Sequence, residues 1–369
     1  MRIWIAGGGT GGHVYPGLAV LQDLRAGGPV EPLYVGGIDS VEERLAERAG
    51  LRFVGVHAGG VHGLAPHIVA RNLVKLARGF GDALRLGRRE RPQALFVTGG
   101  YASVPVAMAA WVLRVPILVY LPDIEPGLAV RFIARLARRV AVTTEASRAY
   151  FPARKVVVTG YPVRPALRSV EREAGRRAFG LPPDATVVLI FGGSHGARSI
   201  NQAVVQNLEA VLQEAEVIHV SGELDWVWVA ERAAQLPADL RARYHSFPYL
   251  HEEMGAALAA ADLAVCRAGA SALGELPVFG LPAVLVPYPH AWRYQRVNAQ
   301  WLVERGAAVM LEDERLGAAL LDVLRELLVD RARLAQMSER AREQSRPDAA
   351  ARLAAELRAI ARPGAEEAS

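Results

Sequence analysis

Cysteine is nearly absent from this sequence: Cys266 is the one cysteine among 369 residues. A single cysteine excludes an intramolecular disulfide framework and is typical of a reducing compartment. The first residues, MRIWIAGGG, also lack the charged and long apolar regions of a secretory signal peptide. We therefore expect the protein to act in the cytoplasm.

Long uncharged hydrophobic runs are missing as well. A transmembrane helix needs about 20 consecutive apolar residues. The longest candidate, YASVPVAMAAWVLRVPILVY at residues 101–120, contains Arg114 and two prolines. This pattern fits a helix followed by a buried strand better than a membrane span. We therefore expect no transmembrane helix and a protein that is soluble or bound to one membrane surface.

The sequence lacks the short motifs of metal sites and P-loops. It contains no HExxH, no DxD and no cysteines and histidines with metal-site spacing. No Gly-Lys-Ser or Gly-Lys-Thr follows a glycine-rich loop, which excludes a P-loop. We expect no metal ligands and no cofactor, so helix N-termini and arginines would have to hold a diphosphate substrate.

The composition is that of a globular protein. Hydrophobic residues make up 51% of the chain and charged residues 22%, and the length suggests two domains. The formal net charge of +5 favours anionic partners. We expect no nucleic acid among these partners.

Short apolar runs alternate with helical patterns, which predicts an α/β fold with parallel sheets covered by helices. The predicted strands are RIWIAG, EPLYVGG, ALFVTGG, PILVYLP, RVAVTT and KVVVTG, followed by TVVLIFGGS, EVIHVSG, LAVCRAG and PAVLVPYP. A segment rich in proline, glycine and charge separates the two sets. We predict an N-terminal domain at 1–163 and a C-terminal domain at 164–344, with a helix in 345–369 that can pack back on the first domain.

A glycine-rich loop, GGGTGGHVYPG, follows the first predicted strand. It matches the dinucleotide spacing Gly7-x-Gly9-x-x-Gly12, but that site also needs an acidic residue at the end of the second strand. Here the second strand ends in glycine, which disfavours a nicotinamide or flavin site. The loop instead suits an anion at a helix N-terminus. His13, at the junction, is either a structural cap or a group that deprotonates a hydroxyl or donates to a phosphate.

Three segments of the second half combine small and polar residues. GGSHGAR, with Gly193 and Ser194, is either a second anion-binding loop or a tight turn. CRAGASALGEL places Glu275 near a helix start, where a carboxylate either accepts from two ribose hydroxyls or interacts with the helix dipole. PHAWRYQRVNA contains Gln295, a candidate for binding sugar hydroxyls, and Asn298, for which a helical surface position is the alternative.

A basic amphipathic pattern covers HIVARNLVKLARGFGDALRLGRRERP. Apolar and basic residues alternate along it, which predicts a helix that binds an anionic membrane leaflet. A core-packed helix with a solvated basic face is the alternative interpretation. The candidate membrane surface comprises Ile68, Arg71, Leu73, Lys75, Leu76, Arg78, Phe80 and Trp111.

Several of these segments occur in the same order in one known family. GGGTGGHVYPGLAV, TGGYASVPVAMAAW, TGYPVRP, GGSHGARSIN, CRAGASALGE and QRVNA span residues 5 to about 310 and resemble the MurG family of N-acetylglucosaminyltransferases. The resemblance implies the GT-B fold, in which two Rossmann-like doubly wound domains face a central cleft. It implies an inverting, metal-independent transfer of GlcNAc from UDP-GlcNAc to lipid I. The product is lipid II for peptidoglycan, cell-wall biogenesis and cell division, and the enzyme is peripheral on the cytoplasmic face of the cell membrane.

The resemblance also assigns site residues. The implied donor residues, which would hold UDP-GlcNAc, are Arg164, Gly193, Ser194, His251, Ala270, Ser271, Glu275 and Gln295. The implied acceptor residues, which would hold the lipid-linked diphosphate and sugar, are Thr10, Gly11, Gly12, Gly100 and Tyr101. The implied catalytic base is His13, alone or together with Asp123.

This chain departs from the family pattern at three positions near the transferred sugar or the acceptor. Asp123 stands at an asparagine position, Ala272 at a threonine position and Tyr294 at a glutamine position. These departures keep two alternatives open, namely a related transferase with another lipid or sugar acceptor and a UDP-sugar-binding protein without transferase activity. A nonhydrolysing epimerase shares the fold, but it would need more acid and base groups around the donor sugar.

Overall fold

The computed structural model describes residues 1–8, 11–60, 65–193, 196–291 and 293–363, and of residues 11–13, 41 and 66 the backbone alone. The chain divides into two compact units. The N-terminal unit contains residues 1–164 together with 347–369, and the C-terminal unit contains residues 165–346.

The N-terminal unit is built on a parallel sheet. Its strands are β1 (Arg2–Gly7), β2 (Glu31–Gly37), β3 (Arg52–Val56), β4 (Ala94–Gly99), β5 (Ile117–Leu121), β6 (Arg139–Val142) and β7 (Val156–Val158). Within the described residues they lie in the order β3-β2-β1-β4-β5-β6-β7. The central strands β4 and β5 are buried along their whole length because helices cover both faces of the sheet.

Helices from both ends of the chain cover this sheet. They are α1 (Gly11–Ala26), α2 (Val41–Arg48), α3 (Pro66–Glu90), α4 (Ser103–Val112), α5 (Leu128–Leu136) and α17 (Ala349–Ile360). The C-terminal helix α17 buries Leu353 and Leu357 in the same core cluster as Leu24 of α1. The Arg362 backbone N–H donates to the Gln93 carbonyl over 3.1 Å. The C-terminal segment is therefore part of the N-terminal unit.

The C-terminal unit repeats the same architecture. Its strands are β8 (Val187–Phe191), β9 (Glu216–Val220), β10 (Tyr244–Phe247), β11 (Leu263–Cys266), β12 (Ala283–Leu285) and β13 (Ala308–Met310). Its helices are α6 (Pro165–Arg168), α7 (Arg172–Ala178), α8 (Arg198–Gln206), α9 (Leu208–Glu214), α10 (Trp226–Ala234), α11 (Ala238–Arg241), α12 (Met254–Ala260), α13 (Glu275–Phe279), α14 (Tyr294–Glu304), α15 (Leu316–Val329) and α16 (Arg331–Glu343). In the described part of this unit the parallel strand order is β10-β9-β8-β11-β12-β13.

The predicted α/β class with two Rossmann-like units is confirmed. All ten predicted strands are present, and three strands, β3, β10 and β13, escaped prediction. The strand β10 reads YHSF and is largely half-buried, while β13 has three residues. All three are edge strands of three to five residues, and strands this short leave only a weak pattern in the sequence.

Each sheet has one point at which the strand order reverses direction. In the N-terminal unit it lies between β1 and β4, and in the C-terminal unit between β8 and β11. Ligands of doubly wound sheets bind outside the carboxyl ends of the strands at this point. The loops after β1, β4, β8 and β11 are therefore where a site is expected, and they carry most of the residues singled out from the sequence.

Candidate functional site

Two glycine loops meet at the reversal point of the N-terminal sheet. The Gly8 backbone N–H donates to the Gly99 carbonyl over 3.3 Å. Gly100 has a φ of +82°, and a β-carbon built on it would lie 2.4 Å from the Gly8 carbonyl oxygen. Only glycine fits there, because any side chain would collide with backbone and would also strain the left-handed conformation. Gly8, directly after β1, therefore lies against Gly99 and Gly100 at the end of β4.

A buried carboxylate and a buried phenol support the first loop from behind. The Glu42 side chain is 4% exposed and accepts from the Gly37 backbone N–H over 3.3 Å. A β-carbon at Gly8 would lie 2.2 Å from Glu42 Oε1, so Glu42 packs directly under that residue. The Tyr34 hydroxyl donates to the Gly7 carbonyl over 2.6 Å. Burial, reinforced by the nearby Glu42 carboxylate, raises the pKa of Tyr34 well above its usual value, which keeps this donor protonated.

The predicted acceptor residues lie in and beside these loops. Tyr101 follows Gly100 with 51% of its side chain exposed, and Asp123 is half-buried two residues after β5. The backbone of Gly11, Gly12 and His13 forms the first turn of α1, at the reversal point. The prediction for Thr10 and those for the side chain of His13 lie outside the described residues.

Arg164, predicted to bind the donor, is the last residue of the first segment of the N-terminal unit. Its guanidinium lies over the ring of Tyr15, with 4.7 Å between Arg164 Cζ and the ring centroid. Tyr15 belongs to the first turns of α1. The sequence boundary at 163/164 gave Arg164 to the C-terminal domain, whereas the structure packs it against the helix that begins at the first glycine loop.

The second glycine loop lies between β8 and α8. Gly193 has a φ of +83°, and a β-carbon there would meet nothing within 4 Å. Gly196, at a φ of +74°, differs because its β-carbon would lie 2.3 Å from the Ser221 carbonyl oxygen. Gly196 is thus needed for packing, whereas Gly193 presents open backbone next to the N-terminus of α8. The prediction for Ser194 falls outside the described residues.

A buried polar network lies under this loop. The His219 imidazole contacts the Tyr244 hydroxyl over 2.6 Å and the Asn201 side-chain oxygen over 3.0 Å. The Asn201 amide donates to Asp225 over 2.9 Å and to the Ser221 carbonyl over 2.7 Å, and Arg198 Nε donates to Asp225 over 2.8 Å. The network therefore connects β9 and β10 to the first turn of α8.

Burial sets the protonation state of His219, and hydrogen bonds set that of Asp225. It lowers the pKa of His219 to about 4, so the imidazole is neutral near pH 7. Burial alone would raise the pKa of Asp225, but hydrogen bonds from Asn201, Arg198 and Trp228 outweigh it and lower that pKa. The ionised Asp225 carboxylate thus pairs with Arg198 and holds the first residue of α8.

The turn after β11 is tied to the same helix. Arg267 Nη2 donates to the Ser199 hydroxyl over 2.7 Å, and Nη1 pairs with Asp313. The buried Asn298 amide donates to the Ala268 carbonyl over 3.1 Å, so the interpretation of Asn298 as helical surface is wrong. These contacts hold the turn from Arg267 to Glu275 at the reversal point next to the second glycine loop.

The remaining predicted donor residues surround this turn or the end of β10. Ala270 and Ser271 lie half-buried in a short 3-10 helix, and Glu275 follows as the first residue of α13. Gln295 accepts from the Tyr288 backbone N–H over 2.9 Å through its side-chain oxygen. His251 is exposed, and its ring lies 4.5 Å from that of Tyr249.

The residues that depart from the family pattern occupy the same neighbourhoods. Ala272 is buried in the 3-10 helix before α13, and Tyr294 begins α14 as a half-buried residue. Both positions flank the predicted sugar side, whereas the second glycine loop keeps its glycines. Among the described residues, no group of three or more histidine, cysteine, aspartate or glutamate side chains is arranged to hold a metal ion.

Helix α3 carries the predicted membrane surface. On α3, Leu73 is 55% exposed and Val74 is 54% exposed. On the neighbouring α4, Trp111 is 57% exposed. Leu76 is half-buried, and Phe80 packs against the sheet core and therefore contributes little to an outer surface. No helix in the described ranges is long and apolar enough to cross a membrane.

The basic members of the predicted surface are exposed to solvent. Arg71, Lys75 and Arg78 are exposed, and Ile68 is half-buried one turn before Asn72. Within the described residues none of the three basic side chains forms an ion pair. Residues 71, 75 and 78 are four and three positions apart, so they lie along one side of α3.

Four supporting residues were not found from the sequence. Glu42 and Tyr34 contact Gly8 and Gly7, and His219 and Arg267 contact the first turn of α8. The one signal was a polar residue inside an apolar strand run, as His219 is in EVIHVSG. Such a residue requires buried partners, but the sequence does not say which.

Comparisons with known proteins agree with this architecture. Residues 3–142 match the model of the glycosyltransferase family 28 N-terminal domain, and residues 187–353 match that of the family's C-terminal domain. Relatives named UDP-N-acetylglucosamine–N-acetylmuramyl-(pentapeptide) pyrophosphoryl-undecaprenol N-acetylglucosamine transferase are 43% identical in Roseiflexus sp. (strain RS-1) and 40% identical in Desulforudis audaxviator (strain MP104C). The first covers 96% of this chain and 94% of the relative, and the second covers 95% of each.

A solved structure extends the comparison to the fold. The crystal structure of Acinetobacter baumannii MurG superposes with a TM-score of 0.75 at 27% identity, over 97% of this chain and 99% of that one. The resemblance read from six short motifs therefore extends over nearly the whole chain. The chain belongs to glycosyltransferase family 28 and, within it, to the MurG family of GT-B enzymes.

Proposed function

We propose that this chain transfers GlcNAc from UDP-GlcNAc to the 4-hydroxyl of the MurNAc unit of undecaprenyl-diphospho-MurNAc-pentapeptide, converting lipid I to lipid II. The observation that carries the proposal is the pair of glycine loops, one at the reversal point of each sheet and each followed by a helix N-terminus. Two such anion-binding loops fit a reaction in which donor and acceptor both carry a diphosphate.

The donor belongs to the C-terminal unit in this proposal. The open backbone at Gly193 and the N-terminus of α8 suit the UDP diphosphate, since no β-carbon blocks the approach and the helix dipole favours negative charge. Ser194 adds a hydroxyl to the same loop. Glu275 accepts from the ribose hydroxyls, and the backbone at His251 contacts the uracil.

The sugar of the donor would lie against the neighbouring turn. Ala270 and Ser271 border it, and Gln295 presents its amide from α14. Because the Gln295 side-chain oxygen already accepts from the Tyr288 backbone, its NH2 group is the end that remains to donate to a sugar hydroxyl. The departures at Ala272 and Tyr294 fall on this side.

The acceptor belongs to the N-terminal unit. The backbone of the two loops, with Gly11, Gly12 and Gly100, offers N–H groups and no side chains to the lipid-linked diphosphate. Thr10 and the exposed Tyr101 add hydroxyls for the diphosphate and the MurNAc ring.

The chemistry is a single displacement with inversion. The acceptor 4-oxygen attacks C1 of GlcNAc while the bond from C1 to the UDP oxygen breaks, and the hydroxyl proton passes to a base. His13, on the first turn of α1, is the proposed base, and Asp123 at the end of β5 shares or replaces it. The leaving UDP carries the negative charge, which the N-terminus of α8 and Arg164 stabilise without a metal ion.

Membrane association places the enzyme next to its lipid acceptor. We propose that Leu73 and Trp111 insert into the interface of the cytoplasmic leaflet while Arg71, Lys75 and Arg78 contact anionic headgroups. An acceptor whose lipid remains in the bilayer can then present its diphosphate and sugar to the loops of the same unit.

One assay tests the proposed reaction. Purified protein is incubated with UDP-GlcNAc and a lipid I analogue, with and without EDTA, and UDP release and the disaccharide product are measured. We expect UDP release that depends on the acceptor and is unchanged by EDTA. A UDP-sugar-binding protein would release none, and an epimerase would alter UDP-GlcNAc without acceptor.

Two variants test the base. We expect His13→Ala to abolish turnover while UDP-GlcNAc still binds. Asp123→Asn lowers turnover if the carboxylate shares the proton. Full turnover of Asp123→Asn next to an inactive His13→Ala would assign the base to His13 alone.

A further inference from the structure

A cavity of about 450 Å³ lies at the opposite edge of the C-terminal sheet. Its lining includes Thr186, Asp262 and Pro282, which immediately precede β8, β11 and β12. Because these strands are parallel neighbours, the three residues lie at their amino ends. The proposed donor site lies at the carboxyl ends, about 15 Å away along a five-residue strand. The cavity is therefore a separate feature of this unit.

Four of the five charged residues in the lining are arginines. Arg168, Arg172, Arg331 and Arg342 face the cavity, and Asp262 is the carboxylate that lines it. Both oxygens of Asp262 are already used: Oδ1 pairs with Arg172, and Oδ2 accepts from Arg176 over 3.0 Å and from the Val187 N–H over 2.9 Å. A cleft lined with an excess of one sign of charge concentrates counter-ions of the other sign.

Two of these arginines come from one face of α16. Residues 331, 338 and 342 are seven and eleven positions apart, which are close to two and three full helical turns. The Ser338 hydroxyl donates to the Gly280 carbonyl over 2.6 Å and fixes this face against the end of α13. Ala335, between them in sequence, also lines the cavity with a small side chain. The helix thus contributes two arginines to the lining, one near each end of α16.

These two guanidinium groups lack carboxylate partners. Arg331 Nη2 contacts the Thr186 hydroxyl over 3.4 Å, and the Arg342 side chain lies over Gly280, where a β-carbon would be 2.5 Å from its Nε. Across the residues that the structure describes, neither arginine forms an ion pair. By contrast, Arg333 and Arg340 of the same helix pair with Glu326 and Glu343.

Contacts with helix-terminal carbonyls account for only some of the polar side chains that line the cavity. Arg172 Nη1 donates to the Ala261 carbonyl just after α12, and Ser338 caps the end of α13. Arg331 and Arg342 make no such contact with a helix-terminal carbonyl within the described chain. An anion that enters the cavity would be attracted by the two guanidinium groups that lack carboxylate partners.

We propose that this cavity binds a phosphate group carried on an organic molecule. Guanidinium groups match phosphate oxygens with two parallel hydrogen bonds, which makes arginine the preferred residue for such anions. A volume of about 450 Å³ exceeds the need of a bare phosphate and lies in the range of organic ligand sites. The phosphate belongs either to a soluble phosphate ester or to a phospholipid headgroup.

The test compares two double variants on the same helix. Arg331→Gln/Arg342→Gln removes the unpaired guanidinium groups, and Arg333→Gln/Arg340→Gln removes the same charge from the ion-paired positions. The full chain is saturated with UDP to occupy the proposed donor site, and glycerol 3-phosphate is titrated calorimetrically. Vesicles of phosphatidylcholine with and without phosphatidylglycerol form a second arm.

We expect saturable binding that is at least about tenfold weaker in the 331/342 variant and within about twofold of wild type in the 333/340 variant. Selective loss with glycerol 3-phosphate assigns a soluble ester, and selective loss only on vesicles with phosphatidylglycerol assigns a lipid headgroup. Absence of saturable binding of either probe, or equal losses in the two variants, overturns the proposal. Equal thermal unfolding midpoints of the variants show that both are folded.

Discussion

The Arg164 guanidinium stacks on the Tyr15 ring, with Arg164 Cζ 4.7 Å from the ring centroid. Tyr15 follows the first turn of α1, the turn that begins at the first glycine loop. The last residue before the C-terminal unit is thereby fixed to the helix proposed to hold the acceptor. A substitution at Tyr15 should therefore affect a residue that we propose acts on the donor.

We expect Tyr15→Leu to raise the KM for UDP-GlcNAc by about two- to fivefold, because a cation–π contact contributes about 0.5–1 kcal/mol. Tyr15→Phe keeps the ring face and should remain close to wild type. Tyr150→Leu is the matched control. Arg131 lies over the Tyr150 ring, with 5.8 Å between Arg131 Cζ and the ring centroid, and this pair is away from the glycine loops. Steady-state kinetics with varied UDP-GlcNAc measure the effect, and equal KM values for Tyr15→Leu and Tyr150→Leu would contradict it.

Alanine substitutions at two glycines can distinguish the effect of backbone strain from the effect of blocking the ligand. Gly193 and Gly180 both have left-handed φ values, +83° and +66°, and at both a β-carbon would meet nothing within 4 Å. Alanine at either position should lower the free energy of unfolding by about 1 kcal/mol through the same strain. Only Gly193→Ala should also raise the KM for UDP-GlcNAc, because its methyl group enters the space proposed for the diphosphate.

Denaturant unfolding and steady-state kinetics of both variants check this expectation. A rise in KM of the same size for Gly180→Ala would show that strain alone causes it. No change for Gly193→Ala would remove the second glycine loop from the proposed donor site.

The glycine loops were predictable from the sequence, and their supports were not. A glycine cluster between an apolar run and a helical pattern is a local signal, so Gly100 and Gly193 were found before any fold was known. Glu42 reaches the first loop from α2, and His219 reaches the second through Asn201. Such contacts depend on which strands become neighbours, and that order is not written in any single segment.

Arg164 shows the same limit at the domain boundary. The segment around GYPVRP has the composition of a linker, and the predicted boundary at 163/164 falls within it. The aromatic partner of Arg164 is about 150 residues earlier in the chain. A side chain next to a boundary can pack on either side, and only the tertiary fold decides which.

The buried His219 makes stability depend on pH. Its pKa is lowered by burial to about 4 in the folded protein, against about 6.5 when the chain is unfolded. The unfolded state therefore binds more protons between these values, so stability is full above pH 6.5 and falls as the pH drops toward 4. The loss from this one group approaches about 3 kcal/mol below pH 4.

The variant His219→Gln distinguishes the contribution of His219 to the pH dependence of stability from that of other titrating groups. Glutamine cannot take up a proton, so its free energy of unfolding should fall less steeply between pH 7 and pH 4 than that of the wild type. It should be less stable at pH 7, by about 1–3 kcal/mol, because the contacts with Tyr244 and Asn201 are disturbed. Exposed His290→Gln is the control, and parallel pH slopes for wild type and His219→Gln would contradict the expectation.

The basic side of α3 should determine binding to anionic membranes. Arg71, Lys75 and Arg78 are exposed on α3, and Leu73 of α3 and Trp111 of α4 are exposed apolar residues. Each basic residue near an anionic surface contributes about 1 kcal/mol, so replacing all three by glutamine should weaken binding by about 100-fold. The apolar part acts independently of charge, so Trp111→Ser should weaken binding to both anionic and neutral vesicles.

Sedimentation with vesicles of phosphatidylcholine, with and without phosphatidylglycerol, measures the partition coefficients. The control replaces Arg325, Arg333 and Arg340, which carry the same charge in the C-terminal unit and are ion-paired there. Wild type and control should bind alike and lose affinity with added salt, because exposed charges are screened within about 10 Å at 0.1 M. If the α3 variant binds like the control, α3 is a core-packed helix whose basic face is only solvated. In that case the enzyme must reach its lipid acceptor through another surface.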